Sequence, residues 1–184
     1  MALTESNMLD LGVTAPDFAL LDTISGKEMS LEDIKSDKAT VIMFTCNHCP
    51  YVLHVNEELV QLAKEYQAKG VAFVAISSND VDKYPQDGPE KMKELAEQEG
   101  YPFPYLYDAT QVVAKSYDAA CTPDFYVFDG DLALQYRGRL DASRPNSGVP
   151  VTGEDLRAAL DALLEGKAVA EKQYPSAGCN IKWK

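Results

Sequence analysis

Apolar and polar positions alternate over residues 18–30 on either side of Ser25-Gly26, a pattern that predicts a small β-hairpin. Ala39–Thr45 (ATVIMFT) is instead a continuous apolar run rich in β-branched residues, as expected of a strand covered on both faces. The period then changes. Val52, Val55, Leu59, Leu62 and Tyr66 recur at spacings of three and four and form one apolar stripe of a long helix. Pro50 suits the first turn of that helix and Gly70 suits its end. Val71–Ser77 (VAFVAIS) reads as a second buried strand, and Pro89–Glu99, stopped by Gly100, as a second helix. A short strand at Tyr105–Tyr107 and a helix near Thr110–Tyr117 follow. Asp124–Phe128 and Ala133–Arg139 flank Asp129-Gly130, a hairpin signal. After a Pro/Gly/Ser loop at 141–151, Thr152-Gly-Glu-Asp155 reads as a capping box. It opens a helix carrying Leu156, Leu160, Leu163 and Leu164 and ending at Gly166. Residues 167–184 show no period and are expected to wrap the surface as a tail.

Strands alternating with helices predict an α/β fold, a central mixed sheet with helices on both faces. The 184 residues suit a single domain, 1–184, long enough to fold without disulfide staples. Charge narrows the function classes. There are 17 Lys and Arg against 29 Asp and Glu, a net −12, which repels phosphate backbones and anionic lipid heads. The expectation is no nucleic-acid partner and no membrane partner. No apolar run approaches the ~20 residues of a membrane span. Met1–Asp10 has neither the basic nor the apolar part of a secretory leader, so a cytoplasmic location is expected.

The chemistry rests on four cysteines: Cys46, Cys49, Cys121 and Cys179. Cys46-Asn47-His48-Cys49 places two thiols where a buried strand turns into a long helix, at the carboxyl end of a strand, where ligand chemistry sits in α/β sheets. Helix N-terminal N–H groups stabilise a thiolate there. A second thiol one helical turn away can close a disulfide and release a mixed-disulfide intermediate. His48 beside the second thiol can stabilise the anion or simply face solvent. A zinc site competes as a reading, but only His48, His54, Cys121 and Cys179 could complete the four ligands it needs. Cu(I) held by two thiols and a histidine is a further alternative. Cys121 is expected to be a small buried hydrophobe, His54 a helix-surface or packing residue, and Arg137, Arg139, Asp141 and Arg144 a surface ion-pair cluster. Tyr101–Tyr107 reads as strand packing or as a partner groove.

Gly12-Val-Thr-Ala-Pro16-Asp17-Phe18-Ala-Leu20 resembles the N-terminal signature of redoxins, the alkyl hydroperoxide reductase/thiol-specific antioxidant (AhpC/TSA) branch of the thioredoxin superfamily. Phe44–Val52, Tyr136–Pro145 and the Gly178-Cys179-Asn-Ile181-Lys-Trp183-Lys ending are similar to its peroxiredoxin-like, CxxC-bearing subgroup. The resemblance implies a thioredoxin-like fold with an N-terminal hairpin extension. It also implies a cis-proline loop at Thr122-Pro123, facing the CxxC and gripping the substrate chain. The Thr and Arg slots that polarise a peroxide in peroxiredoxins hold other residues. With Cys49 as the attacking thiol, the Thr slot holds Cys46; the Arg slot holds Pro123. The expected function is therefore thiol–disulfide exchange, with Cys46 attacking, Cys49 resolving and His48, Thr122 and Pro123 in support. A thiol-dependent peroxidase and a metal-binding or copper-delivery module are the alternatives. No organic cofactor is expected. The partners would be a protein or small-molecule disulfide and a thiol reductant or reductase. Cys179 is a candidate third, resolving thiol, if its tail folds back.

Overall fold

A computed structural model describes residues 3–184. Met1 and Ala2, the start of the segment read for a leader, lie outside the described residues. Seven strands form the main sheet: β2 (Ala19–Asp22), β3 (Glu28–Ser30), β4 (Ala39–Phe44), β5 (Ala72–Ser77), β6 (Tyr105–Tyr107), β8 (Asp124–Asp129) and β9 (Leu134–Gly138). Their spatial order is β3-β2-β6-β5-β4-β8-β9. β5 runs parallel to β4 and β6, and the remaining pairs are antiparallel, so the sheet is mixed.

Central β4 is buried at every position because both of its faces are covered. Val41 and Met43 pack with Val55, Leu59 and Leu62 of α2 (Pro50–Gln67), with Met92 of α3 (Pro89–Glu99), and with Leu156 and Leu160 of α5 (Glu154–Leu164). Ile42 and Phe44 face the other way. They pack with Leu31 of α1 (Leu31–Ile34) and Val113 of α4 (Val112–Ser116). This is the expected thioredoxin-like arrangement. Among the described residues no helix is long and apolar enough to cross a membrane.

Three local expectations need correction. The helix at α5 has no side-chain capping box. Gly153 precedes it at φ 66°, and Asp141 Oδ2 accepts the Thr152 and Gly153 N–H groups at 2.8 and 2.7 Å. A loop carboxylate thus does what the Thr152–Asp155 motif was expected to do, and the reciprocal capping box lies at Ser30 and Asp33 instead. The β8–β9 turn spans 130–133, longer than the two-residue hairpin that Asp129-Gly130 suggests, with Leu132 at φ 60°.

The third correction matters most for function. The tail follows the surface only over its mostly exposed first part, residues 167–174. It supplies β10 (Ala177–Asn180), the middle strand of a second sheet between β1 (Leu3–Glu5) and β7 (Cys121–Thr122). Ser176 and Ile181 on either side are buried, and Ile181 joins the core beside Phe44. Register places Cys179 opposite Thr122. Gly178 sits so close to the neighbouring strand that a Cβ there would lie 2.0 Å from the Thr122 carbonyl oxygen. Gly178→Ala should therefore push β10 away and cost about 1–3 kcal/mol. Urea unfolding of the reduced protein measures this, and a variant as stable as the parent would show that β10 is not held at this spacing.

Candidate thiol site

Cys46 follows β4 and Thr45, whose N–H is bonded to the Ile76 carbonyl. Cys49 is the extended residue at the N-terminus of α2, and Pro50, which lacks an N–H, takes the first helical position. Both thiols meet Thr122. Cys46 Sγ lies 3.5 Å from the Thr122 hydroxyl, and Cys49 Sγ lies 3.4 Å from the Thr122 carbonyl oxygen. The Thr122–Pro123 peptide bond is cis. Cys49 Sγ is also 2.7 Å from Cys179 Sγ on β10. Three of the four cysteines thus form one buried group with Val52, while Cys121 is buried apart from them, as a small hydrophobe would be.

Burial and charge here differ from the expectation that Cys46 is the attacking thiol. Cys46 is 1% exposed and Cys49 0%. The Cys46 thiol, and with it the Cys179 thiol and the N–H groups of Val52 and Cys179, holds Cys49 down to about 5 against the cost of burial. Cys46 moves the other way. Its contact with Cys49, its burial and the nearby Asp87 carboxylate raise it well above the ordinary thiol range. Burial and the neighbouring Cys49 push Cys179 up to about 12. These shifts favour a negative charge on Cys49 over one on either neighbour.

A polar layer lies on the far side of Cys46. Asp87, in a 3₁₀ turn at Pro85–Asp87, is fully buried and accepts the Asn47 N–H and an Asn79 amide proton, both at 2.8 Å. His48 Nδ1 lies 2.7 Å from Asp87 Oδ2, and the His48 ring stacks on Tyr84. Cys46, His48 and Asp87 bring one sulfur, one nitrogen and one oxygen within 4.8 Å of one another. That is a three-donor set, short of the four protein ligands of a structural zinc site.

A model of the AhpC/TSA family matches residues 11–137. The chain belongs to the AhpC/TSA family. An uncharacterized conserved protein of Geobacillus kaustophilus is 67% identical, with a TM-score of 0.99 over 100% of this chain and 97% of its own. A hypothetical protein of Sinorhizobium meliloti 1021 is 46% identical, with a TM-score of 0.96 over 98% of both chains. A peroxidoxin of Mycobacterium tuberculosis and a thiol:disulfide interchange protein of Chlorobium tepidum TLS share the fold. Their identities are 22% and 20% and their TM-scores 0.64 and 0.63, covering 86% and 85% of this chain and 98% and 99% of theirs. No curated protein matches the sequence.

In this AhpC/TSA chain the expected site residues Cys46, Cys49, Thr122 and Pro123 come together, with His48 at the edge and Cys179 added by β10. The expected ion-pair cluster does not form. Arg139 pairs with Asp155, Asp141 is spent on the start of α5, and Arg137 binds the Leu9 carbonyl and Gln173. His54 reaches Ser143 at 3.2 Å, away from the thiols. Tyr101 and Tyr105 are packing residues with hydroxyl partners, Asn56 and Asn47. Asp87 and Asn79 carry the polar layer, yet no sequence spacing ties them to the CxxC. Their one signal is position, in the loop after β5, at the same sheet end as Cys46.

Alkylation followed site by site should show Cys49 titrating near pH 5, far below the ~8.5 of a free thiol, and Cys179 reacting only in strong alkali. The same shift sets a stability window. A depressed folded-state value stabilises the reduced protein above the unfolded thiol value, and that contribution disappears as pH falls toward 5. Relative to Cys49→Ser, reduced protein should gain stability from pH 5 to about 8.5. A flat difference across that range would contradict the assignment.

Proposed function

We propose that this redoxin is a thiol–disulfide oxidoreductase that works through the Cys46–Cys49 pair, acting as one domain over residues 1–184. The observation that carries the proposal is geometric: the Cys46 and Cys49 sulfurs both lie against Thr122, and the surrounding N–H groups and thiols favour an anion at Cys49. A thiolate of low pKa is present at neutral pH and needs no base to form. Cys49 attacks one sulfur of a substrate disulfide. A mixed disulfide forms, and the other substrate sulfur leaves as a thiolate. Cys46 then loses its proton and attacks the Cys49 sulfur, so the Cys46–Cys49 disulfide closes and the second substrate thiolate leaves. Two electrons pass to the substrate. In this reading the Cys46 proton passes by way of a water to Asp87, a carboxylate oxygen of which lies within 4.8 Å of the Cys46 sulfur. This order exchanges the roles expected from sequence, because the N–H groups and thiols that favour an anion converge on Cys49 while a carboxylate faces Cys46.

The partners in this reading are a protein or small-molecule disulfide and a thiol reductant or reductase that reopens the Cys46–Cys49 bond. No organic cofactor takes part. In this reading the protein works in the cytoplasm, where a thiol pool supplies the reductant. Both thiols are covered, so the substrate sulfur enters beside Tyr51 and Pro123. These two residues line a cleft that also includes His54 and Ser143. Exchange is favoured over peroxide reduction because the peroxide-polarising Thr and Arg slots are vacated. It is favoured over metal delivery because the clustered donors are one thiol, a histidine and a carboxylate, not the two thiols and a histidine that the copper reading needs.

The test is turnover of insulin disulfides against hydrogen peroxide with the same reductant. Disulfide turnover should dominate, and Cys46→Ser and Cys49→Ser should each lower it by at least about 1,000-fold. A peroxide rate constant near ~10⁷ M⁻¹s⁻¹, in the range of near-diffusional enzymes, would assign the site to peroxide instead.

A further inference from the structure

We propose that Cys179 is a third redox thiol, which exchanges into the Cys46–Cys49 disulfide to give a Cys49–Cys179 disulfide and a free Cys46. The inference rests on the exchange reading for the Cys46–Cys49 bond and adds a second destination for that bond. It comes from a residue that lies outside the segment matched by the family model, 11–137.

The geometry is the first argument. Cys179 Sγ is 2.7 Å from Cys49 Sγ, so a movement of about 0.7 Å brings the pair to the ~2.05 Å of a disulfide. The approach does not depend on a mobile tail. β10 is hydrogen-bonded on both edges, to β1 and to β7. Before it, Ser176 donates its N–H to the Ser6 hydroxyl. After it, Ile181 is buried in the core, the Lys182 N–H goes to Asn79 and the Lys182 carbonyl accepts from Asp80 and Gln111. Cys179 is thus held in register opposite Thr122, the residue that both other thiols touch. Position makes Cys49 the shared sulfur, since it contacts Thr122 and Cys179 together.

The step balances with no outside oxidant. The Cys179 sulfur gives up its proton and attacks Cys49 in the Cys46–Cys49 disulfide. The Cys49–Cys179 bond forms, the Cys46–Cys49 bond breaks, and Cys46 leaves as a thiolate that takes up one proton. One disulfide and one thiol are present before and after, so nothing is oxidised or reduced overall. The consequence is an oxidised protein in which Cys46 is again a thiol beside Thr122, while Cys179 holds Cys49 out of further attack.

The experiment equilibrates full-length protein with oxidised dithiothreitol, quenches in acid, alkylates and maps the cysteine peptides. Wild-type protein should yield both the Cys46–Cys49 and the Cys49–Cys179 linkages. Cys46→Ser should lose two of its three thiols on oxidation, as an intramolecular Cys49–Cys179 bond, leaving only Cys121 to react in denaturant. Cys46→Ala repeats the measurement with a different side chain. Cys46→Ser/Cys179→Ser should keep both of its thiols. Trp183 is the only tryptophan and lies four residues from Cys179, so its emission gives a second readout. Oxidation of Cys46→Ser should change that emission, and the double variant should not respond. If both Cys46 variants keep all three thiols, or form only intermolecular bonds, while wild-type protein closes Cys46–Cys49, the third-thiol inference is overturned and the exchange reading stands. If wild-type protein closes no bond at Cys49, both fail.

Discussion

Strand β10 lies against the Thr122 carbonyl with no room for a side chain on residue 178, and the arrangement of the sulfurs depends on that approach. Thr122 is held from one side by β10 and stands against two thiols on the other. Glycine at 178 is what lets the backbones close to this distance. Any larger residue would move Cys179 away from Cys49, and with it the donors that stabilise the Cys49 anion. The close approach of two strands therefore sets a property that is usually assigned to a helix N-terminus alone.

Charge is distributed in the site by geometry more than by residue type. Three thiols of similar intrinsic acidity sit in one buried group, and burial alone would keep all three protonated. The N–H groups and thiols directed at Cys49 lower it, while the Asp87 carboxylate opposes a charge on Cys46. The result favours a single anion, centred on Cys49. A single shared charge also explains how two adjacent thiols avoid the repulsion of two anions in a dry site.

The polar layer links this chemistry to the end of the chain. Asn79 donates to Asp87 and accepts from the Lys182 N–H, so one side chain ties the loop after β5 to the segment just after Cys179. Asp87 in turn binds the Asn47 N–H within the CxxC. The turn carrying the two thiols and the strand carrying the third are thus braced by the same buried amide. This matters because a redox site must hold its sulfurs near bonding distance in both oxidation states.

Local features of the chain were legible without the fold. The change at Thr45 from a continuous apolar run to spacings of three and four, the glycines at 70 and 100 and the paired cysteines at a strand-to-helix turn are each written over a few residues. β4, α2, α3 and the Cys46–Cys49 site follow from them. The Thr152–Asp155 motif misled because a distant carboxylate, Asp141, took the N–H groups that a local cap would have served. The tail showed no period because β10 is four residues long and its partners lie at the other end of the chain and at Cys121–Thr122. Which sulfur holds the charge was decided only in the folded protein. Asp87 is 40 residues from Asn47 and Cys179 is 130 residues from Cys49, and no periodicity within a segment encodes contacts made across such separations. Sequence determined which thiols exist and which elements carry them; packing determined their neighbours, because electrostatic stabilisation acts through space over a few ångströms, whatever the separation along the chain.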